Sequence, residues 1–267
     1  MLEDIQEVSL LNQFLLPHIP EGKRIVPNDL IRSSLFTVSN HNCKREYLKE
    51  KTLYSFYSTE IIFTGEELRQ DDEDVWLQLI YSASDAQSDK IHFKPYSFLS
   101  QIGWPSRTQY RDRLKDSLTR MSATNLKIYN RDYQQGIGLS LVRRFEWFEG
   151  DRKLNEWQVW LEPEIVKLFS ALGRVYTKIQ WDQRKQLKPL AKWLHAFYSS
   201  HAEPAPILLS KLKELSGSKT KSFRHFKENI REALFELVQI GFCTTFFIDA
   251  KNQLHFSRDK DGKLGVL

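Results

Sequence analysis

The stretch from Gly217 to Gly241 reads Gly-Ser-Lys-Thr-Lys-Ser-Phe-Arg-His-Phe-Lys-Glu-Asn-Ile-Arg-Glu-Ala-Leu-Phe-Glu-Leu-Val-Gln-Ile-Gly. Its apolar residues recur mostly at three- and four-residue steps, which predicts a helix with one buried face. They are Phe223, Phe226, Ile230, Ala233, Leu234 and Leu237. Ser218 is a suitable N-cap for this helix, and Gly241 is a suitable C-terminal stop.

Basic residues crowd the front half of this helix. Residues 211 to 231 hold seven of them against two glutamates: Lys211, Lys213, Lys219, Lys221, Arg224, Lys227 and Arg231. Cations at a helix N-terminus cost stability, because the dipole already places positive charge there. This cost in stability is offset either by a polyanion that binds from outside or by ion pairs such as Arg224–Glu228. Each such ion pair contributes only a few tenths of a kcal/mol.

The elements around this helix predict a winged helix. Two amphipathic segments precede it, one containing Trp193 and Phe197 and one spanning residues 208 to 216. Two β-like runs follow it, at residues 243 to 249 and 253 to 258. Three helices and then a hairpin describe the helix-turn-helix variant with a β-ribbon wing.

The same order of elements occurs earlier in the chain. A helix is predicted from Glu66 to Ala83, then a strand at residues 91 to 93, a helix and turn at residues 95 to 104, and a helix capped by Ser106. Strands at residues 126 to 129, 137 to 142 and 157 to 161 suit a longer wing. A shift of 116 residues places Tyr110, Leu114, Leu118 and Met121 on Phe226, Ile230, Leu234 and Leu237. The sequence therefore predicts an α+β protein with two tandem winged-helix domains.

Two such modules predict binding to double-stranded DNA, with one recognition helix in each of two major grooves. Arg and Lys read guanine, and Asn and Gln read adenine. The candidate DNA-binding residues are Lys219, Lys221, Arg224, His225, Lys227 and Arg231 in the second module, Arg107, Gln109, Arg111, Arg113 and Lys115 in the first, and Arg258 after the last strand.

Composition excludes several other classes of protein. The 267 residues carry a net charge of +5 and no apolar run of the ~18 residues that a membrane span needs. Two distant cysteines and no signal-peptide pattern favour a reduced, cytoplasmic protein. Neither a metal-ligand spacing nor a Gly-x-x-x-x-Gly-Lys-Ser/Thr loop occurs, so we expect no metal, no cofactor and no enzymatic activity.

Three stretches resemble the TrfA family of plasmid replication initiators. They run from Val26 to Val38, from Gly65 to Trp76 and from Tyr198 to Pro206, and they follow the family's order between about Pro27 and Arg258. The resemblance implies tandem winged helices that bind directly repeated origin sites called iterons. It further implies opening of the origin and loading of the host replicative helicase, with host DnaA as a partner, and a homodimer that is inactive on DNA.

Two shorter segments have two readings each. Arg32-Ser-Ser-Leu-Phe36 partly resembles a peptide that binds the replicative sliding clamp, so Leu35 and Phe36 are either clamp contacts or core residues. The acidic run from Glu66 to Asp74 is either a metal-dependent catalytic cluster or, as we expect, a solvated helix start.

The expected organisation is an N-terminal segment over residues 1–25, mobile or dimer-forming, a first winged helix over 26–172 and a second over 173–267. Two other functions remain open. A winged-helix transcriptional repressor would use the same modules on a promoter palindrome, and a metal-dependent nuclease or relaxase would use the acidic run.

Overall fold

The computed structural model describes residues 14–40, 43–56, 59–131, 134–148, 156–169 and 176–258. Within these residues, helices and strands share one continuous apolar core, in which Trp76, Trp157, Tyr198 and Phe226 are among the largest buried side chains. No helix in this part of the chain has the length and apolar character needed to cross a membrane.

The C-terminal half forms a winged helix in the predicted order. Its elements are β11 (Tyr176–Gln180), α5 (Trp181–Lys185), α6 (Pro189–Ser199), β12 (Ile207–Leu208), α7 (Leu209–Leu215), α8 (Phe223–Gln239), β13 (Thr245–Ile248) and β14 (Gln253–Ser257). Helices α7 and α8 form the helix-turn-helix, and β13 and β14 form the wing. β12 pairs with β14, so the antiparallel sheet has the order β12-β14-β13.

The first half contains a second copy of this arrangement. Its elements are α2 (Gln70–Ala86), β6 (Lys90–Phe93), α3 (Pro95–Gln101), α4 (Thr108–Ser122), β9 (Arg144–Glu146) and β10 (Trp157–Trp160). The sheet order β6-β10-β9 matches β12-β14-β13 strand for strand. Leu114, Leu118 and Met121 of α4 are fully buried, as are their counterparts in α8. The prediction of two tandem winged helices is confirmed.

The first wing is shorter than predicted. The runs at residues 126 to 129 and 137 to 142 give β7 (Asn125–Asn130) and β8 (Gln135–Leu139), but neither strand lies in the wing. They join β3 (Tyr47–Leu53) and β4 (Thr59–Glu66) in a four-stranded antiparallel sheet of order β3-β4-β7-β8. β7 and β8 lie between α4 and β9 in the chain but belong to a sheet with strands that precede α2, so only β9 and β10 remain for the wing.

The N-terminal residues tie the two modules together. β1 (Lys23–Pro27) pairs with β11 at the start of the second module, and it crosses the predicted boundary between residues 25 and 26. α1 (Asn28–Ile31) follows, and β2 (Phe36–Thr37) runs parallel to β5 (Leu68–Arg69). A 3-10 helix, Pro163–Phe169, precedes β11. Residues 1–13 and the predicted boundary at 172/173 lie outside the described residues.

Candidate nucleic-acid interface

The second recognition helix, α8, begins later than predicted. Gly217 has a φ of +61° and lies just past α7, where its N–H donates to Glu214 O at 3.1 Å and the Ser218 N–H donates to Lys213 O at 3.1 Å. This pair of bonds is the Schellman motif that ends helices. Ser218 therefore belongs to the turn, and the N-cap is Ser222, whose Oγ accepts from the His225 N–H at 3.4 Å.

This start leaves two predicted DNA contacts outside the helix. Lys219 and Lys221 lie in the turn between α7 and α8. Lys219 Nζ forms ion pairs with Glu46 at 3.2 Å and with Glu67 at 3.1 Å, whereas Lys221 is exposed. The turn is thus held against the first module by one lysine and presents the other to solvent.

The outer face of α8 carries the remaining candidates of this module. Phe226, Ile230 and Leu234 are buried on the inner face. Arg224, His225 and Arg231 are exposed on the other side. The Arg224 side chain is 87% exposed and its Nε lies 3.2 Å from Glu228 Oε1, a solvent-screened pair that leaves the guanidinium accessible.

Lys227 contacts the second wing. Its ammonium donates to Asn252 Oδ1 at 2.7 Å, and Asn252 lies in the turn between β13 and β14 with a φ of +59°. Asn tolerates this left-handed conformation better than most residues. The hydrogen bond fixes the wing tip relative to the recognition helix.

The first helix-turn-helix repeats this geometry. Gly103, with a φ of +73°, follows α3, and the Schellman bonds run from Gly103 N to Ser100 O at 3.0 Å and from Trp104 N to Leu99 O at 2.8 Å. α4 then begins at Thr108 with Arg107 as N-cap, so the predicted cap, Ser106, lies one residue too early.

The candidates on α4 fall into two groups. Arg107 and Gln109 are exposed and Arg111 is partly exposed. Arg113 instead stacks on Trp104, with its guanidinium carbon 4.4 Å from the ring centroid, and pairs with Asp71 at 2.7 Å. Lys115 lies over Trp147 in the first wing, with Nζ 3.9 Å from the ring centroid.

Three further candidates are placed within the protein. Arg258 donates to the carbonyls of Ser199 and His201 at 3.4 and 3.0 Å, so it caps the C-terminus of α6. Leu35 and Phe36 are each 3% exposed and belong to the core. A sliding-clamp contact through them would require this segment to leave the core.

The acidic run is not a solvated helix start, and this prediction is wrong. Residues 66 to 69 precede α2, and Glu67, Asp72, Glu73 and Asp74 are all buried. Asp72 accepts from Arg45 at 2.6 Å, from Arg120 at 2.8 Å and from Ser117 at 2.7 Å. We call these four residues and Asp71 the acidic hub.

The hub binds cations from both modules. On one side, Asp71 pairs with Arg45 and Arg113 of the first module; burial alone would raise the pKa of Asp71, but these guanidiniums lower it to about 2. On the other side, Arg184 of α5 lies 3.1 Å from Glu73 and 2.8 Å from Asp74.

Two more ion pairs, Lys192–Asp74 from α6 and Lys219–Glu67, link the hub to the second module. Burial raises the pKa of Glu67, but hydrogen bonds from Arg69, Lys219 and Thr37 outweigh it and lower the pKa below its usual value. Within the described ranges, no group of three or more His, Cys, Asp or Glu residues is arranged to hold a metal ion.

Arg45, Arg120, Arg184 and Lys192 were missed by sequence reasoning. Arg184 is separated from Glu73 by 111 positions, and Arg120 is 48 positions from Asp72. In the sequence, these cations were indicated only by the acidic run itself. Buried carboxylates need charged partners, but the run does not identify which residues those partners are.

The comparisons with known proteins agree with this architecture. The family model described as TrfA protein matches residues 2–258. The plasmid replication initiator protein TrfA of Escherichia coli is 32% identical over 238 residues, which cover 88% of this chain and 62% of that protein. This chain thus spans less than two thirds of that relative's length.

Two crystal structures of RctB show the same fold. Domains 2 and 3 of RctB match with a TM-score of 0.57 at 13% identity, covering 84% of this chain and 93% of that chain. A selenomethionine derivative of the same two domains matches with a TM-score of 0.55 at 14% identity, covering 79% and 84%.

The duplicated helix-turn-helix, each copy followed by its own wing, defines a tandem winged-helix protein of the kind that binds DNA. Within that class, the match to the TrfA family model covers residues 2–258, which is nearly the whole chain. The chain belongs to the TrfA family of plasmid replication initiators.

Proposed function

We propose that this protein initiates plasmid replication by binding directly repeated origin DNA through α4 and α8. The observation that carries the proposal is the duplication: each module presents an exposed polar face of a recognition helix next to its own wing. Successive major grooves on one face of DNA lie ~34 Å apart, so two modules in one chain suit two turns of a repeat.

The accessible side chains are the proposed DNA contacts. They are Lys221, Arg224, His225 and Arg231 in the second module, and Arg107, Gln109 and Arg111 in the first. Lys219, Arg113 and Lys115 already have partners within the protein, and Lys227 and Arg258 donate to other residues. We therefore assign this second group to holding the recognition helices and the α6 terminus in place.

Opening of the origin would be driven by binding. We propose that the protein acts by binding DNA and is not an enzyme; that the sequence has no phosphate-binding loop motif argues in particular against ATP hydrolysis of its own. DNA bending and binding energy would destabilise the duplex, and host proteins in the cytoplasm would supply the ATP chemistry. Host DnaA and the host replicative helicase are the proposed partners, and a homodimer is the proposed inactive form on the basis of family membership.

The test is equilibrium binding to the repeats of the plasmid's own origin and to scrambled DNA over a salt series. We expect specific binding to the repeats, with affinity that falls steeply as salt rises, because phosphate contacts release counterions. Equal binding to both DNAs would contradict the proposal. Preference for a promoter palindrome over the direct repeats would favour a repressor instead.

Arg224→Ala separates base reading from phosphate binding. If Arg224 reads a base, the variant should lose about 1–3 kcal/mol of specific binding free energy and little non-specific binding. Arg131→Ala is the matched control, because Arg131 is an exposed, ion-paired arginine at the end of β7, outside both recognition helices. An unchanged specific affinity of the Arg224 variant would remove this residue from the interface.

A further inference from the structure

The turn between α7 and α8, which places the second recognition helix, contacts the first module directly. Just after α7, Ser216 O accepts from the Val38 N–H at 3.0 Å. Lys219 Nζ lies 3.1 Å from Glu67 and 3.2 Å from Glu46. These two acidic residues lie side by side, because the Glu67 N–H donates to Glu46 O at 2.8 Å. The second recognition helix is therefore attached to the segment of the first module that leads into α2.

The first recognition helix is attached to the same segment. Asp71, in the first turn of α2, pairs with Arg113 of α4 at 2.7 Å. Arg45 joins the two attachment points, because it donates to Glu67 O at 2.7 Å and pairs with Asp71 at 3.0 Å. Polar contacts thus run without interruption from α4 to the turn before α8. We call the residues that make them the bridging cluster: Arg45, Glu46, Glu67, Asp71, Arg113 and Lys219.

The bridging cluster uses two cations that could otherwise contact phosphates. Lys219 and Arg113 belong to the two helix-turn-helix units, yet both pair with carboxylates of the first module. Their side chains remain 42% and 34% exposed. Because ion pairs of this exposure add little stability, stability alone does not account for turning both cations away from DNA.

Two recognition helices in one chain must match the helical repeat of DNA. One base pair added between two half-sites moves one of them by ~3.4 Å along the axis and rotates it by about 34°. The ion pairs of Arg184 and Lys192 attach α5 and α6 to α2. The bridging cluster instead attaches α4 and the turn before α8, so it acts on the parts that would enter the grooves.

We propose that the bridging cluster sets the spacing between the two half-sites that α4 and α8 read, with Lys219 and Arg113 as positioning residues. This inference rests on the proposed DNA binding by these helices. With both contacts in place, the helices keep one separation and one phase, and a repeat of altered spacing binds only if protein or DNA is distorted. Without either contact, the modules turn about their remaining links and accept more than one spacing.

Both positions can be changed without leaving a buried carboxylate unpaired. In Lys219→Met, Glu67 keeps its ion pair with Arg69 at 3.0 Å. In Arg113→Met, Asp71 keeps its other guanidinium partner at 3.0 Å. Because the severe losses at buried ion pairs come from uncompensated charge, both variants should fold, and thermal unfolding checks this.

The experiment measures how strongly the full chain prefers the natural spacing. Hydroxyl-radical footprinting with the wild type locates the two half-sites in an origin repeat. Affinity is then measured for that repeat and for versions with one base pair added or removed between the half-sites. Two controls accompany the variants: Lys219→Arg keeps the charge, and Lys221→Met removes an exposed lysine of the same turn.

Wild type and both controls should bind the altered repeats at least about tenfold more weakly than the natural one, a loss comparable to one mismatched base pair. In Lys219→Met and Arg113→Met this preference should largely disappear. Lys221→Met should weaken binding at every spacing and reduce its salt dependence, as expected for a lost phosphate contact. Lys219→Met should leave the salt dependence unchanged.

Two results would overturn the inference while leaving the proposed function intact. One is wild type that binds the repeats specifically but equally well at all three spacings. The other is a pair of variants, Lys219→Met and Arg113→Met, that keep the wild-type preference or lose affinity equally at every spacing. Absence of specific binding by wild type would instead overturn both proposals together.

Discussion

At the residue scale, His195 makes the folded state sensitive to acid. It is fully buried, its Nε2 lies 3.3 Å from Gln183 Oε1, and its ring packs on Phe242. Burial, with smaller contributions from Arg184 and Arg258, lowers the pKa of His195 to about 3. Because this value lies below the unfolded value of about 6.5, the unfolded state takes up the proton first as pH falls.

His195→Gln should therefore flatten the pH dependence of stability. The contribution of His195 is fully present above about pH 6.5 and is lost as pH falls toward 3, with a slope of up to about 1.4 kcal/mol per pH unit. Urea unfolding at pH 7, 6, 5 and 4 measures it. The carboxylates titrate in both proteins, so the difference between the two curves isolates the histidine. Parallel curves would mean that folding does not lower the pKa of His195.

At the element scale, the turn between α7 and α8 owes its shape to a glycine with two constraints. Besides its positive φ, a Cβ on Gly217 would lie 2.7 Å from Thr37 Cγ2, whereas a Cβ on Gly241, φ +71°, would meet nothing within 4 Å. The backbone directly after β2 also contacts this turn, because the Val38 N–H donates to Ser216 O at 3.0 Å.

The pair Gly217→Ala and Gly241→Ala separates backbone strain from the close approach of Thr37. The left-handed conformation should cost each variant about 1–2 kcal/mol of unfolding free energy. Overpacking against Thr37 should add about 1–3 kcal/mol to the loss in Gly217→Ala alone. Denaturant unfolding of both variants gives the difference directly, and equal losses would mean that Thr37 moves aside freely.

The recognition helices and the second wing were predictable because their signals are local, whereas two strands assigned to the first wing belong to another sheet. Apolar steps of three and four residues located α4 and α8, and Gly241 marked the end of α8. The start of α8 was predicted wrongly: Ser218, the predicted cap, lies in the turn, and Ser222 caps the helix. The pairing of β7 with β4 was not predictable, since a strand pattern does not identify its partner 60 or so positions away.

At the scale of the whole molecule, the acidic hub connects the two modules through buried ion pairs. Its cations come from elements far apart in the chain, and for this reason the sequence showed only an acidic run without its partners. Arg184 is fully buried between Glu73 and Asp74 and also donates to Gln70. Burial raises the pKa of Glu73 despite the opposing effect of Arg184.

Arg184→Met should be strongly destabilising. Removing one partner of a buried ion pair leaves uncompensated charge and costs about 3–5 kcal/mol. Arg131→Met is the control: Arg131 pairs with Glu60 at 3.1 Å, but its side chain is 68% exposed, so the loss should be at most about 1 kcal/mol. Denaturant unfolding of both variants is the measurement. A comparable small loss in both would mean that water or a proton compensates the hub carboxylates.

The buried hub also limits how the two modules can change during evolution. A carboxylate on α2 and a cation on α5 or α6 must be kept together, although more than a hundred positions separate them in the chain. Consider a chimaera whose second module comes from a distant relative. Its α5 and α6 would then face the carboxylates of an α2 that was selected to pair with different cations. Functional chimaeras of such initiators should therefore require α2 to be exchanged along with the module, even though α2 belongs to the other half of the chain.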